Sequence, residues 1–236
     1  MMNLKIIIPV IILTVILLIS YYFFNKDRGH NVIHDKIEYL YDSKQIIKSS
    51  DNFKESLTGI NYTLSFWIRT DNVPLNAHWK NSYIEPKTVL FRDGSPNVML
   101  TLPNTLNIQI GYKNTDGILD FYSFDFENFE SQKWCNFVIT VNNRKVEIYN
   151  NSVLVKSKIL PNVPWFSKKN LSIGESNNNF NGYVGLIDYF NYNLDRKQIL
   201  TLYNKNLSKI PNYLENYKQN LENDERLSSM LKIINK

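Results

Sequence analysis

Hydrophobic and polar residues alternate in short bursts over much of the chain. In the stretch Asn61–Thr70, Tyr62, Leu64, Phe66 and Ile68 fall on one face of an extended backbone. Further bursts, separated by Asn, Asp, Gly and Pro, cover Thr88–Arg92, Asn97–Leu102, Leu106–Tyr112, Ile118–Phe124, Trp134–Val141, Lys145–Tyr149, Ser152–Lys156, Leu171–Gly174 and Tyr183–Asn191. This pattern predicts about ten short strands without crossover helices, which is typical of an all-β antiparallel sandwich.

Helical patterns flank these strands. A short helix is predicted at Asp195–Tyr203, with Asp195 as its N-cap. After Pro211 the apolar spacing predicts a helical tail, whose docking place the sequence leaves open. Residues 25–50 are polar and charged, and they suggest a stalk with a short helix as one option at Lys36–Ile47.

The first apolar run extends from Ile6 to Phe24, which is 19 residues without a charge. As a helix it would measure about 28 Å, close to the hydrocarbon thickness of a membrane. The sequence therefore predicts a transmembrane anchor at 1–24, a stalk at 25–50, a sandwich at 51–204 and a tail at 205–236. A cleaved signal peptide is the competing interpretation, but the run ends in Tyr-Tyr-Phe-Phe without small residues at a cleavage site.

Charges around the apolar run do not decide the membrane orientation. Lys5 precedes it, whereas Lys26 and Arg28 follow it and are partly offset by Asp27. The positive-inside rule favours a cytoplasmic domain only slightly, so both orientations stay open.

Composition excludes several classes of function. The net charge is +5, and no long Lys/Arg run or basic stripe interleaved with aromatics is present, so nucleic-acid binding is not expected. The single cysteine, Cys135, excludes intrachain disulfides and Cys-rich zinc sites, and its setting predicts a small buried apolar residue. The 15 Tyr and 13 Phe favour β-structure.

Several sequence elements resemble laminin-G-like and pentraxin-like domains of the concanavalin A-like lectin/glucanase superfamily. In chain order they are Tyr62–Arg69, Trp134 with Phe137–Thr140, Arg144–Val155, Leu171–Gly174 with Phe180–Asp188, and the helix Leu194–Tyr203. The resemblance covers roughly residues 52–204 and implies a jelly-roll sandwich. Within these elements we expect Trp134 in the core, and Gly182 and Gly185 at close approaches of the backbone.

The resemblance also raises the possibility of glycoside hydrolysis. Glucanases of the superfamily place carboxylates on one strand in a Glu-x-Asp-x-Glu pattern, with nucleophile and acid about 5–5.5 Å apart. The nearest sequence here is Ser123-Phe-Asp125-Phe-Glu127, in which a serine replaces the first carboxylate. We therefore expect that the protein is not an enzyme, and glycoside hydrolysis is kept as the remote alternative.

Two non-catalytic functions are left. The first is a lectin-like module that binds a carbohydrate or glycoprotein through aromatic residues, for which the candidates are Trp79, Tyr83, Tyr112 and Trp165. The second is a structural membrane or virion protein that docks other proteins, because an anchored single domain of this composition resembles proteins of large DNA viruses. Calcium is common in the superfamily and takes oxygen ligands, for which Asp93 and Asn142 are weak candidates.

Overall fold

The computed structural model describes residues 12–18, 29–40, 44–71, 86–101, 105–127, 129–130, 132–176 and 179–211. Two α-helices lie in this part of the chain, α1 at residues 12–18 and α2 at Arg196–Leu207, with a 3-10 helix at Ser50–Asn52. The strands are β1 (His30–Leu40), β2 (Ile46–Lys48), β3 (Asn61–Thr70), β4 (Lys87–Phe91), β5 (Asn97–Thr101), β6 (Thr105–Lys113), β7 (Leu119–Phe126), β8 (Cys135–Asn142), β9 (Lys145–Asn150), β10 (Val153–Ile159), β11 (Leu171–Ile173) and β12 (Gly182–Phe190).

The strands form two six-stranded antiparallel sheets. Sheet A has the order β1-β12-β3-β8-β9-β10, and sheet B has the order β2-β11-β4-β5-β6-β7. The predicted all-β antiparallel sandwich is therefore confirmed. One open side of the sandwich is bordered by β10 of sheet A and β7 of sheet B.

The hydrophobic core lies between the sheets. Tyr62, Leu64, Phe66 and Ile68 of β3 all belong to it, as the period-two pattern predicts. Trp67 faces the other side of sheet A and is also buried, so β3 is covered on both faces. Strand β3 lies between β12 and β8 in the interior of sheet A, where strands buried on both faces are usually found.

The region predicted as a stalk contains part of the sandwich. Strand β1 pairs with β12 along its length, and β2 pairs with β11, so the predicted stalk at 25–50 and the helix option at Lys36–Ile47 are wrong. Register shifts between Val32 and His34, and again between His34 and Ile37, interrupt the alternation of β1. A strand with two irregularities loses the period-two signature by which strands are detected.

Trp134 also departs from expectation. It directly precedes β8, is half-buried, and its ring centroid lies 5.9 Å from that of Tyr183 outside the core cluster. Cys135 pairs with the inward-facing Ile68 and takes the core position, so its neighbour Trp134 points to the outer side of the sheet.

The two glycines of β12 behave as predicted. A Cβ at Gly185 would collide with the backbone carbonyl of Lys36, and one at Gly182 would collide with the carbonyl of Arg69. Neighbouring backbones therefore approach β12 at distances that only glycine permits.

The chain divides into two compact units, Met1–Leu200 and Thr201–Lys236. Helix α2 starts in the first unit, where Asp195 caps it reciprocally: the Gln198 N–H donates to Asp195 Oδ1 (2.8 Å) and the Asp195 N–H donates to Gln198 Oε1 (2.9 Å). In the second unit the described residues continue the helix to Leu207 and end in a turn. The tail predicted beyond Pro211 lies outside the described residues.

Of the predicted anchor at Ile6–Phe24, only residues 12–18 are described, and they are helical with exposed side chains. Within the described part of the chain, no helix combines the length and the apolar character needed to cross a membrane.

Candidate functional site

The four aromatic residues predicted to bind sugar have different outcomes. Trp79 and Tyr83 lie outside the described residues. Tyr112 and Trp165, which are far apart in sequence, come together at one end of sheet B, because Tyr112 forms an isolated antiparallel bridge with Pro164. The backbone N–H of Trp165 donates to the Gly111 carbonyl at 2.7 Å.

Both side chains have partners within the fold. The Tyr112 hydroxyl donates to Asp120 Oδ2 at 2.9 Å, and this hydrogen bond raises the pKa of Tyr112. The Lys113 ammonium lies 5.0 Å from the centroid of the Trp165 ring, so a cation covers one face of the indole. These contacts tie the pair to the end of sheet B, where both side chains are half-buried.

The two weak metal candidates do not form a calcium site. The Asp93 carboxylate lies 3.4 Å from the ammonium of Lys169, whose side chain is mostly exposed. Asn142 Oδ1 accepts from the neighbouring Asn143 side chain (3.5 Å), and no described contact joins it to Asp93. Among the described residues, no group of three His, Cys, Asp or Glu side chains is arranged to hold a metal ion. These residues therefore do not fit calcium, which needs six to eight oxygen ligands.

A polar groove lies on the open side of the sandwich and is the strongest candidate site. It has a volume of about 490 Å³ and is lined by Tyr122, Ser123, Phe124, Asp125, Glu127 and Lys156. We call it the edge groove. Residues from both faces of β7 line it, so it follows the free edge of this strand, and Lys156 comes from β10 in the other sheet. Its volume is within the range of small-ligand sites, roughly 300–1,000 Å³.

Two lysines of β10 close the core beside this groove. Lys156 pairs with Ile148 and Lys158 with Val146, both core residues, so both lysines point towards sheet B. Their ammonium groups lie 5.9 Å from the centroid of the Phe126 ring (Lys156) and 5.4 Å from that of Tyr122 (Lys158). The aliphatic stems cover the edge of the core while the charges reach solvent.

The acidic side of the groove is held by sheet B. Asp125 Oδ1 accepts a hydrogen bond from Asn107 Nδ2 at 2.6 Å, which orients the carboxylate on the outer face of the sheet. Ser123 and Glu127 flank it and are exposed. The groove thus presents an aromatic ring, a hydroxyl, two carboxylates and an ammonium on two rigid strands.

Sequence reasoning considered Ser123, Asp125 and Glu127 only as a degenerate hydrolase pattern, and it missed Tyr122 and Lys156. The alternation along β7 gives the local arrangement of the first three. No sequence signal indicates Lys156, because β7 and β10 face each other only after both sheets have formed.

The lone cysteine takes no part in this chemistry. Cys135 is buried in the core, and desolvation raises the pKa of its thiol to about 11. A nucleophilic cysteine needs a lowered pKa, so Cys135 is a packing residue, as the sequence predicts.

Comparison with known families and structures agrees with the observed fold. A family model described as the concanavalin A-like lectin/glucanases superfamily matches residues 42–199, which is 158 of the 236 residues. No curated protein matches the sequence significantly.

Similar solved structures include receptor-binding domains of bacterial neurotoxins. The botulinum neurotoxin serotype D binding domain is 16% identical with a TM-score of 0.53, and 75% of this chain covers 47% of that one. The serotype D ligand binding domain in complex with N-acetylneuraminic acid is 17% identical (TM-score 0.54, 75% and 46% covered), and the serotype G binding domain is 18% identical (TM-score 0.52, 75% and 46% covered). The chain spans a little under half the length of these domains, and at such identities the likeness concerns the fold alone.

Proposed function

The chain belongs to the concanavalin A-like lectin/glucanase superfamily, and from this premise we propose that its sandwich is a non-catalytic module that binds a carbohydrate, free or carried by a glycoprotein, in the edge groove. The observation that carries the proposal is the composition of the groove, in which Tyr122, Asp125, Glu127 and Lys156 converge from two sheets. The fold is lectin-like, and the site is built from residues that complement a sugar.

Each group in the edge groove has a partner on a sugar ring. The Asp125 and Glu127 carboxylates accept hydrogen bonds from sugar hydroxyl groups. The half-buried Tyr122 ring, which packs against the core beside Lys158, adds an aromatic wall to the groove. The Lys156 ammonium donates to sugar oxygens or pairs with an acidic substituent. Because these residues lie on β7 and β10 or, for Glu127, directly after β7, little backbone entropy is lost when a ligand binds.

The carboxylates of the edge groove support binding of a sugar without hydrolysis. A retaining glycosidase needs a carboxylate nucleophile and an acid about 5–5.5 Å apart, and Ser123 stands where the pattern of the superfamily has the first carboxylate. A general acid is normally created by apolar surroundings that keep a carboxyl group protonated, whereas Asp125 and Glu127 are both exposed. These residues support recognition of a sugar better than cleavage of one.

The similar structures point in the same direction. They are described as binding domains, and one of them holds N-acetylneuraminic acid. Those properties belong to the toxins, and they support the present proposal only as an analogy of fold.

A glycan array probed with the full chain in mild detergent tests the proposal. We expect a defined subset of glycans to bind, and the double variant Asp125→Asn, Glu127→Gln to lose at least about tenfold in affinity, because each amide keeps only one acceptor oxygen and makes weaker, uncharged hydrogen bonds. A matched control is Asp35→Asn, Lys36→Gln on β1, which changes exposed charged residues at the opposite edge of sheet A.

The proposal fails if no glycan binds with or without calcium, or if the groove variant binds as tightly as the control variant. Incubation of a bound oligosaccharide with the protein provides the second readout. The oligosaccharide should keep its length, and shortened products would instead indicate a hydrolase.

We also propose that Ile6–Phe24 anchors the domain in a membrane, such as that of a virion. Support comes from 19 uncharged residues, long enough to cross the hydrocarbon layer at 1.5 Å per residue. Alkaline extraction should leave the full chain with the membrane and should release a chain that lacks residues 1–24. Protease treatment of intact membranes would then establish the side of the domain, and release of both chains would contradict anchoring.

A further inference from the structure

Strand β10 has an unusually exposed and apolar surface for an edge strand. All seven of its residues are exposed, and the four aliphatic ones, Val153, Leu154, Val155 and Ile159, have between 41% and 66% of their surface in solvent. A free edge with exposed aliphatic side chains is a template on which another strand can pair.

The free backbone groups of β10 can be identified from its pairing. Its register with β9 is regular from Lys156 to Ile159, and the next residue, Leu160, donates its N–H to the Arg144 carbonyl at 2.8 Å. Backbone groups of alternate residues in an antiparallel strand point to the same side. Those of Ser157 and Ile159 therefore point away from β9, where an additional strand would lie.

Two charges distinguish this edge from a purely apolar one. Lys156 and Lys158 point inward over the rings of Phe126 and Tyr122, and within the described residues neither forms an ion pair. Inward lysines on an edge strand discourage indiscriminate pairing. They also discriminate between partners, because a strand with carboxylates beside them gains ion pairs and a basic strand is repelled.

We propose that β10 is a docking edge for an extended segment of another protein, which adds to sheet A as a seventh strand and carries carboxylates at alternate positions beside Lys156 and Lys158. Main-chain hydrogen bonds to Ser157 and Ile159 supply affinity, and the two lysines supply the charge preference. The segment shares Lys156 with the edge groove, so a sugar bound there would compete for this side chain, but binding of the segment does not require a sugar.

A second copy of this chain fits the edge less well. Antiparallel pairing of two β10 strands around Ser157 places Lys156 of one copy opposite Lys158 of the other. One strand edge is also small beside the roughly 800 Å² per partner that a stable dimer interface usually buries. A short acidic segment avoids both difficulties.

Two capped peptides of alternating valine and glutamate, or valine and lysine, provide the probes. Calorimetric titration of the full chain in mild detergent should show saturable binding of the glutamate peptide, and at least about tenfold weaker binding of the lysine peptide. Ser157→Pro removes only an outward N–H and is compatible with an edge strand, so it should weaken binding at least about tenfold, whereas Ser157→Ala keeps that N–H and should bind like the wild type.

A charge-reversed variant keeps the test decisive if Ser157→Pro fails to fold. Lys156→Glu, Lys158→Glu should reverse the preference, so that the lysine peptide binds more tightly than the glutamate peptide. The inference is overturned if neither peptide binds saturably, if Ser157→Pro folds and binds normally, or if the full chain dimerises through β10, since a second copy would then be the occupant. Asp125→Asn, Glu127→Gln removes two negative charges near the segment and should not weaken binding of the glutamate peptide, whereas it should weaken sugar binding, which separates this inference from the proposed sugar site.

Discussion

Arg92 is a buried cation whose removal tests how one end of the sandwich is held together. It follows β4 and is 1% exposed. Its guanidinium carbon lies 4.1 Å from the centroid of the Phe53 ring and 4.7 Å from that of Phe166. No carboxylate in the described residues lies within ion-pair distance of it, and burial lowers its pKa. Aromatic faces and backbone carbonyls therefore replace the usual acidic partner.

Three carbonyl groups depend on this side chain. Arg92 Nη2 donates to the carbonyl of Ser167, while Nη1 donates to that of Ser95 and Nε to that of Lys169, both at 3.3 Å. In Arg92→Met, Ser167 and Ser95 remain buried, and each carbonyl left without a donor costs about 1–3 kcal/mol. Lost cation–π contacts add about 1 kcal/mol each, and relief of the buried charge offsets part of the sum.

We therefore expect Arg92→Met to lower the free energy of unfolding by about 3–5 kcal/mol. For a domain of this size, 1 kcal/mol corresponds to roughly 2–4 °C, so the melting temperature should fall by about 6–20 °C. Arg92→Lys keeps the charge but loses the planar guanidinium, so its stability should lie between that of the wild type and that of Arg92→Met. Circular dichroism melts compare these variants with Arg196→Met, an exposed control expected to change stability by less than about 0.5 kcal/mol. An Arg92→Met protein as stable as the wild type would refute this account of the guanidinium.

Further predictions concern the thiol, one histidine and one glycine. Because burial raises the pKa of Cys135 to about 11, iodoacetamide at pH 8 should label it only after unfolding in urea, and labelling of the native protein would contradict its core position. Burial, aided by the charge of Lys48, lowers the pKa of His34, so its contribution to stability is present above pH 6.5 and is lost as the pH falls. His34→Gln should flatten the change in urea midpoint between pH 7 and pH 5, and an unchanged slope would exclude this residue as its source. Gly185→Ala should lower stability by about 1–3 kcal/mol in urea unfolding, because its Cβ would meet the Lys36 carbonyl, and an unaltered midpoint would show that β1 can move away.

The sequence predicts the strands where side chains alternate and misses them where they do not. The stretch Asn61–Thr70 is predicted to the residue, since its inward side chains are all apolar. Strand β1 escapes prediction because its register shifts place His34 among the buried residues while Val32 stays exposed. Local alternation is informative only as long as the ladder is regular.

The candidate site is less accessible to sequence reasoning than the fold. Tyr112 and Trp165 are recognisable as aromatic residues, but only the bridge between Tyr112 and Pro164 shows that they come to the same end of sheet B. The edge groove depends on the pairing order that makes β7 and β10 the borders of one open side. That order results from long-range sheet assembly, which no local pattern encodes.

The position of a bound sugar on the protein would show whether the edge groove is the binding site. Amide chemical shifts of isotope-labelled full chain should be recorded during titration with a glycan that the array identifies. We expect the largest changes in amide chemical shift at the residues that line the groove, with smaller changes nearby on β7 and β10. The lining residues with the largest changes should be Tyr122, Ser123, Asp125, Glu127 and Lys156. Largest shifts at the Tyr112 and Trp165 end of sheet B, or on the far edge at β1, would contradict it.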